Sequence, residues 1–173
     1  MLRTSPIKVR RARPADLPTL GRLGAALARA HHEWDPQRFF LREPAEQGYA
    51  WWLGKELRNP SAVILAAAKG RRVVGYAYGR IEPRDWNSLR DQCGMVIDLM
   101  VEPRSRGQGI GQKLAAALIE ALQEMGAPRV VLQVASRNRD AQRFFRAMGF
   151  RPTLVEMALE LDPEKPSRPR SRR

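Results

Sequence analysis

The sequence predicts an α+β fold, an α/β sandwich in which helices cover one mixed sheet. Continuous apolar runs such as 62–68 are typical of buried strands, whereas apolar residues at three- and four-residue spacing in 17–30 indicate an amphipathic helix. The predicted order is strand, two helices, three strands, helix, strand, helix and strand, a pattern typical of this class. A length of 173 residues suits one domain, which we expect over 1–161, followed by a disordered basic tail over 162–173.

The first half of the chain is predicted to form a strand, two helices and a hairpin. Residues 7–10 alternate apolar and basic side chains, as a half-exposed strand does. The first helix is followed by a second over 49–58, which Asn59-Pro60 ends. Strands over 62–68 and 73–81 are separated by a short turn that contains a glycine, so they form a hairpin.

The second half is predicted to contribute three strands and two helices. The apolar run 95–101 reads as a buried strand, and a loop rich in arginine and glycine separates it from a helix over 113–125. A strand over 129–135 and a short helix over 139–148 follow. Apolar and polar residues then alternate over 154–161, which predicts a final strand.

The charge of the chain is strongly positive, with 26 arginines and 5 lysines in a formal net charge of +13. The tail carries +3 of this charge, which leaves +10 on the folded part. One interpretation is a nucleic-acid-binding module. The favoured one is a bias towards arginine spread over the surface, because the basic residues are scattered outside the tail. Either way, an anionic ligand is attracted to such a protein.

The cysteine and histidine content limits the possible chemistry. Cys93 is the single cysteine, so an intrachain disulfide framework is excluded and a reducing compartment is expected. His31 and His32 are the only histidines, and no metal-ligand spacing surrounds them, so we expect no metal. The chain start lacks the apolar core of a signal peptide and no run of about 18 apolar residues occurs, so we expect a cytoplasmic protein without a membrane partner.

Glycines recur at every second position in the loop after strand 95–101, at Gly107, Gly109 and Gly111. Glycine allows positive φ and a close approach of the backbone to a ligand. The helix that follows offers unpaired N–H groups and the positive end of its dipole. Strand, glycine loop and helix therefore predict a site for a phosphate-bearing ligand, to which Arg104 and Arg106 add charge.

Two sequence motifs resemble those of one family. The run LMVEPRSRGQGIGQKL, residues 99–114, resembles motif A of the GNAT superfamily of acyl-CoA-dependent N-acetyltransferases, and residues 138–141 with 145–150 are similar to its motif B. The resemblance implies a central, mostly antiparallel mixed sheet of six to seven strands flanked by about four helices. It also implies transfer of an acetyl group from acetyl-CoA, as cosubstrate, to a primary amine of an unidentified small molecule or peptide. A monomer or a homodimer is compatible with it, and nucleic acid is not an expected partner.

The resemblance also assigns cofactor contacts to positions of this chain. Strand backbone would pair with the pantetheine arm and loop amides would hold the pyrophosphate. Asn138 would lie near the pantetheine, although it also suits the N-cap of helix 139–148. Phe145 replaces the motif B tyrosine, often the acid that protonates the leaving sulfur. The strand and loop residues concerned are Leu99, Met100, Val101, Arg106, Gly107, Gln108, Gly109, Ile110, Gly111 and Gln112.

Candidate catalytic and substrate-binding residues are carboxylates and aromatics. Asp98 is the candidate general base because burial in an apolar strand raises a carboxyl pKa, although it could instead only hydrogen-bond a neighbouring strand. Glu82, at the end of the preceding strand, is the second candidate. The residues that could meet the substrate are Glu33, Trp34, Asp35 and Tyr78, for which solvated surface positions or core packing are the alternatives.

Three functions are therefore compatible with the sequence. The first is an N-acetyltransferase. The second is a coenzyme A-binding protein with weak or lost catalysis, which Phe145 suggests because phenylalanine has no proton to give. A thiol ionises near pH 8.5, so a thiolate is a tolerable leaving group without that acid. The third, a nucleic-acid-binding module, leaves the glycine loop unexplained.

Overall fold

A computed structural model describes residues 6–161 of the chain. The predicted tail at 162–173 lies outside these residues. No helix within the described part is long and apolar enough to cross a membrane. The elements are β1 (Ile7–Arg11), α1 (Leu17–Trp34), α2 (Ala45–Glu56), β2 (Ala62–Lys69), β3 (Arg72–Glu82), β4 (Cys93–Val101), α3 (Ile110–Glu124), β5 (Val130–Leu132) and α4 (Arg139–Ala147).

The five strands form one sheet in the order β1-β2-β3-β4-β5. The first four strands pair antiparallel with their neighbours, and β5 pairs parallel with β4. This is the α+β class that the sequence predicts, with a mixed and mostly antiparallel sheet. The parallel pair requires a crossover, and α3 provides it.

Helices bury both faces of the sheet. On one face, apolar residues of α3 such as Leu114 and Leu118 pack on Val63, Val74 and Val96. On the other face, side chains of α1 and α2 pack on a second set that includes residues of β2, β3 and β4. Because both faces are covered, β2 and β3 read as continuous apolar runs rather than as alternating ones.

The central strand β4 is irregular in a way that positions the site. Tyr78 of β3 pairs with Asp98, whereas Gly79 pairs with Val96, so Ile97 is an extra residue that forms a bulge. The pairing of β4 with β5 is confined to Gly94, Met95 and Val96. From Ile97 to Val101, β4 therefore has no partner strand on its β5 side within residues 6–161.

The predicted final strand over 154–161 is wrong, and the described sheet has five strands rather than six to seven. Residues 151–161 have no regular secondary structure. The large apolar side chains that suggested a strand are at least 80% exposed. Alternation shows which faces a strand would present, but a strand also needs a hydrogen-bonded neighbour, and β5 is only three residues long. Glu156 is held by an ion pair with Arg38 instead.

Close packing of α1 on α2 depends on a glycine, and we expect Gly21→Ala to destabilise the fold. A Cβ atom at Gly21 would lie 2.5 Å from the Glu46 carbonyl oxygen and 2.9 Å from Cβ of Ala50. Because backbone cannot move aside, we expect unfolding free energy to fall by about 1–3 kcal/mol. Urea denaturation measures it. Gly48→Ala in α2 is the control, since its Cβ would meet nothing within 4 Å. Equal stability of the two variants would contradict this packing.

Candidate functional site

The loop between β4 and α3 has the backbone geometry of an anion site. Gly107 and Gly109 have φ of +74° and +72°, a region that favours glycine. Gly109 is the N-cap of α3, and the first helical bond runs from the Lys113 N–H to its carbonyl oxygen at 3.1 Å. The N–H groups of the first helical turn thus lack intrahelical acceptors and can bind a phosphate. The helix begins at Ile110, three residues before the predicted start. Backbone amides that were predicted to lie in the loop are therefore part of the first helical turn.

Arg106 connects this loop to the end of β4. Its Nε donates to the Val101 carbonyl oxygen at 3.1 Å, and its Nη2 lies 3.9 Å from Sδ of Met100. The guanidinium therefore places a positive charge between the strand end and the glycines. Such a charge favours an anionic group at the loop.

Leu99, Met100 and Val101 lie on the part of β4 that has no partner on the β5 side. The side chains of Leu99 and Val101 pack towards α3, whereas Met100 packs towards α1 and α2. The open edge therefore presents backbone groups. An extended ligand can pair with such an edge as an added strand does.

Asn138 caps α4, as one of the two sequence interpretations expected. Its Oδ1 accepts a hydrogen bond from the Ala141 N–H at 3.1 Å. Gln142 fixes the loop before the helix, because its Nε2 donates to the carbonyl oxygens of Ala135 and Ser136. A role of Asn138 towards a cofactor stays a prediction.

Phe145 is a core residue of α4, with only 8% of its surface exposed. Its ring packs edge to face with those of Phe144 and Phe150, at centroid distances of 5.0 and 5.5 Å. The phenylalanine thus supplies the packing of the motif B position without a hydroxyl group.

Asp98 is buried on the α1 and α2 side of the sheet, next to the bulge. It is 7% exposed, and its Oδ2 accepts a hydrogen bond from the Tyr76 hydroxyl at 2.8 Å. Burial raises the pKa of Asp98 to about 6, while the Tyr76 hydrogen bond and the charge of His31 act in the opposite direction. The carboxyl therefore both bonds a neighbouring strand and titrates near the range of a general base.

Two phenols belong to the same cluster. Burial raises the pKa of Tyr76 well above its usual range and that of Tyr49 to about 12, and the Asp98 charge adds to both. Both hydroxyls therefore keep their protons at neutral pH, where Asp98 is mostly ionised. Across residues 6–161, no three His, Cys, Asp or Glu side chains are grouped as metal ligands.

Glu82 lies far from Asp98, although both were predicted as bases. It ends β3 opposite Cys93, four residues along the strand from the partner of Asp98, which is roughly 13 Å. Its carboxylate is bound by Arg80 at 2.7 Å. The structure thus separates the two candidates, and only Asp98 lies beside the open edge of β4.

The predicted substrate residues Glu33, Trp34 and Asp35 lie at the end of α1, next to the loop before α4. The Trp34 carbonyl oxygen accepts a hydrogen bond from Arg137, which follows β5, so α1 and the loop before α4 are joined there. Asp35 accepts from the Arg38 N–H at 3.3 Å, and Glu33 is exposed. A contact of these residues with a substrate stays a prediction.

Tyr78 has a structural position. It is fully buried, its hydroxyl donates to Glu56 at 2.7 Å, and its ring packs edge to face on Trp52 at 5.2 Å. These contacts agree with the core-packing alternative for Tyr78, and a role towards the substrate stays a prediction.

Sequence reasoning did not assign a role to Tyr49, and it did not pair the Tyr76 hydroxyl with Asp98. Alternation along β3 places Tyr76 and Tyr78 on the same face of the sheet. Asp98 lies on that face as well because of the bulge at Ile97. No pattern in the sequence marks that bulge.

Comparison with known proteins agrees with this geometry. Residues 26–150 match the acetyltransferase (GNAT) family. The chain is 31% identical over 134 residues to a mycothiol acetyltransferase of Thermomonospora curvata, covering 73% of this chain and 41% of that protein. It thus spans about two fifths of the length of this relative. A putative ribosomal protein bS18-alanine N-acetyltransferase of Bacillus subtilis is 28% identical over 96 residues, which cover 56% of this chain and 58% of that protein.

Solved structures share the fold. An aminoglycoside N-acetyltransferase in complex with CoA superimposes with a TM-score of 0.72 at 17% identity, covering 92% of this chain and 97% of that one. The identity is low, so this likeness concerns the fold. The family match spans most of the described chain and includes both the glycine loop and α4. The chain belongs to the acetyltransferase (GNAT) family.

Proposed function

We propose that the chain is an N-acetyltransferase that moves an acetyl group from acetyl-CoA to a primary amine by direct attack. The observation that carries the proposal is the position of Asp98, a buried carboxylate beside a strand edge that leads into an anion-binding loop. A cosubstrate that joins a phosphate-rich end to an extended arm suits this arrangement.

The cofactor contacts follow from the same geometry. The amides from Gly107 to Gln112 would hold the pyrophosphate at the start of α3, and Arg106 would add charge. The backbone at Leu99, Met100 and Val101 would pair with the pantetheine arm, and Asn138 would lie near that arm. The net charge of +13 attracts such a polyanion.

The chemistry needs a proton acceptor. An amine of pKa about 10 is mostly protonated at neutral pH and must lose a proton before it attacks the thioester carbonyl. The Asp98 carboxylate accepts this proton, directly or through water. Carbon–nitrogen bond formation then accompanies carbon–sulfur bond cleavage, and the sulfur leaves as a thiolate. The second proton, which the nitrogen loses on becoming an amide, passes to water or to that thiolate. A strand N–H near Leu99 to Val101 polarises the carbonyl oxygen.

Phe145 provides no acid for the leaving sulfur, and we expect Phe145→Tyr to leave kcat within about threefold of the native value, since a thiolate leaves without help. The added hydroxyl enters a ring cluster, so we expect unfolding free energy to fall by about 1–3 kcal/mol. Steady-state kinetics and thermal unfolding measure both effects. Phe144→Tyr, on the neighbouring ring, is the control. A rise in kcat of roughly tenfold, or 1.4 kcal/mol in barrier, would support the alternative of a catalytically weakened protein.

The acceptor is proposed as a small molecule or a peptide, and the names of the relatives suggest both kinds. Release of free thiol from acetyl-CoA, measured against a panel of amino sugars, polyamines and a peptide with N-terminal alanine, tests the proposal. Turnover with one acceptor class above the hydrolytic rate supports it. Tight binding of acetyl-CoA with no turnover on any amine would favour the coenzyme A-binding alternative. Salt-sensitive binding of nonspecific DNA would instead support a nucleic-acid function.

A further inference from the structure

Segment 154–161 exposes several apolar side chains that no part of residues 6–161 covers. The large apolar side chains of this segment are between 80% and 91% exposed, and they are Leu154, Val155, Met157, Leu159 and Leu161. Those at 155, 157, 159 and 161 occupy alternate positions, whereas residues 156 and 160 are glutamates. Because a strand places alternate residues on one face, the segment has the pattern of a strand with an apolar face and a charged face. Monomeric proteins rarely leave a continuous apolar surface uncovered.

The sheet ends at a strand whose outer edge is unpaired. β5 is the last strand of the sheet, and its outer edge faces no strand within residues 6–161. All three residues of β5 are only partly buried, and Val130 and Leu132 pack towards α3. The pairing of β5 stops after three residues, although the sequence predicts a strand over 129–135. An added strand at this edge would supply hydrogen-bond partners to the exposed backbone and cover these side chains.

The segment and the edge belong to the same chain but are not joined to each other. After α4 the chain turns at Gly149, which has φ of +93°, and the ring of Phe150 packs on Phe145. Glu156 then forms an ion pair with Arg38, in the turn after α1. Beyond this ion pair, residues 157–161 have no regular secondary structure and remain exposed. Each chain therefore offers one strand-forming segment and one free edge.

We propose that residues 154–161 of one chain add a strand to the outer edge of β5 in a second copy, which returns its own segment to the first. Reciprocal pairing about a two-fold axis closes a dimer and uses each edge and each segment once. The apolar side chains at odd-numbered positions pack on the sheet of the other copy, while Glu156 and Glu160 face solvent. Removal of this apolar surface from water favours the association. The proposal does not depend on acetyl transfer.

The size of the protein in solution tests this pairing. Sedimentation velocity of the full chain over a range of concentrations is expected to show a dimer. Leu159→Glu places a charge on the apolar face, so we expect the dimer dissociation constant to rise roughly a hundredfold or more. Since Leu159 is 83% exposed, this substitution should leave the fold of each copy intact. Ala158→Glu adds the same charge to the opposite face and is the matched control, which should remain a dimer.

Cross-linking tests which strand the segment joins. Cys93 is the single cysteine and is buried, so cysteines introduced at accessible positions react selectively. In a mixture of Val131→Cys chains and Met157→Cys chains, a short bis-maleimide is expected to join position 131 of one chain to position 157 of another. Each of these chains has one introduced cysteine, so such a link can form only between copies.

Three results would overturn the proposal. The first is a native protein that stays monomeric at every concentration. The second is equal dimerisation of Leu159→Glu and Ala158→Glu. The third comes from a chain that carries both introduced cysteines, because a link between positions 131 and 157 within one monomer would show that the segment pairs with its own sheet.

Discussion

Asp98→Asn is expected to lower kcat for acetyl transfer by about 10²–10⁴-fold, the usual contribution of a general base. Asparagine keeps the shape of the side chain, and its amide oxygen can still accept from the Tyr76 hydroxyl. The variant thus removes the proton acceptor and little else. Because the cosubstrate is held by backbone and loop, we expect its affinity to change little. Steady-state kinetics and calorimetric binding of acetyl-CoA separate the two effects.

The pH dependence of the native enzyme should agree with this assignment. The pKa of Asp98 is raised to about 6, so the carboxylate predominates above that pH and the neutral acid below it. A base must be ionised to act, and kcat/KM should therefore rise as pH increases through about 6. Glu82→Gln is the matched comparison, because Glu82 was the other predicted base and lies roughly 13 Å along β3. Unchanged turnover in Asp98→Asn, or a loss in Glu82→Gln instead, would remove Asp98 from this role.

Gly109→Val is expected to abolish measurable binding of acetyl-CoA. The residue has φ of +72°, which a β-branched side chain adopts only with strain. A Cβ there would meet nothing within 4 Å, so the obstacle lies in the backbone and in the space that the ligand would occupy. The loop is expected to relax to another conformation, and the amides at the start of α3 would no longer converge. Isothermal titration with acetyl-CoA measures the loss.

The control for this variant comes from the other end of the same helix. Gly126 follows α3 with φ of +88°, and a Cβ there would also meet nothing within 4 Å. Gly126→Val therefore carries a similar backbone strain without touching the loop, and it should bind acetyl-CoA normally if it folds. Asparagine tolerates positive φ, so Gly109→Asn separates the effect of backbone strain from the effect of an added side chain. Native affinity in Gly109→Val would refute the loop assignment.

Local patterns in the sequence predict most of the elements. The spacing of apolar residues locates α1, and the turn residues after Lys69 identify the β2–β3 hairpin. The glycine loop is predicted because glycine suits positive φ and a close approach of the backbone to an anion, and because a helix start offers N–H groups to that anion. These signals depend only on residues that are close in the sequence, so they can be recognised without knowledge of the fold.

Other features depend on contacts between distant segments. The bulge places Ile97 and Asp98 on the same face of the sheet. The alternation of side chains along β4 is therefore interrupted next to the proposed general base. The hydrogen bond from the Tyr76 hydroxyl to Asp98 joins side chains of two different strands, and no spacing in the sequence specifies it. The segment 154–161 shows the reverse error, because its alternating pattern is clear but no strand pairs with it.

The unpaired edge of β4 from Ile97 to Val101 links stability to ligand concentration. A ligand that pairs with this edge binds the native chain and has no equivalent site on the unfolded one. The free energy of unfolding then grows as RT ln(1 + [L]/Kd), about 2.7 kcal/mol at a hundredfold excess over Kd. Because β5 pairs with β4 only as far as Val96, the resistance of the fold to heat and proteolysis is expected to rise with the concentration of such a ligand.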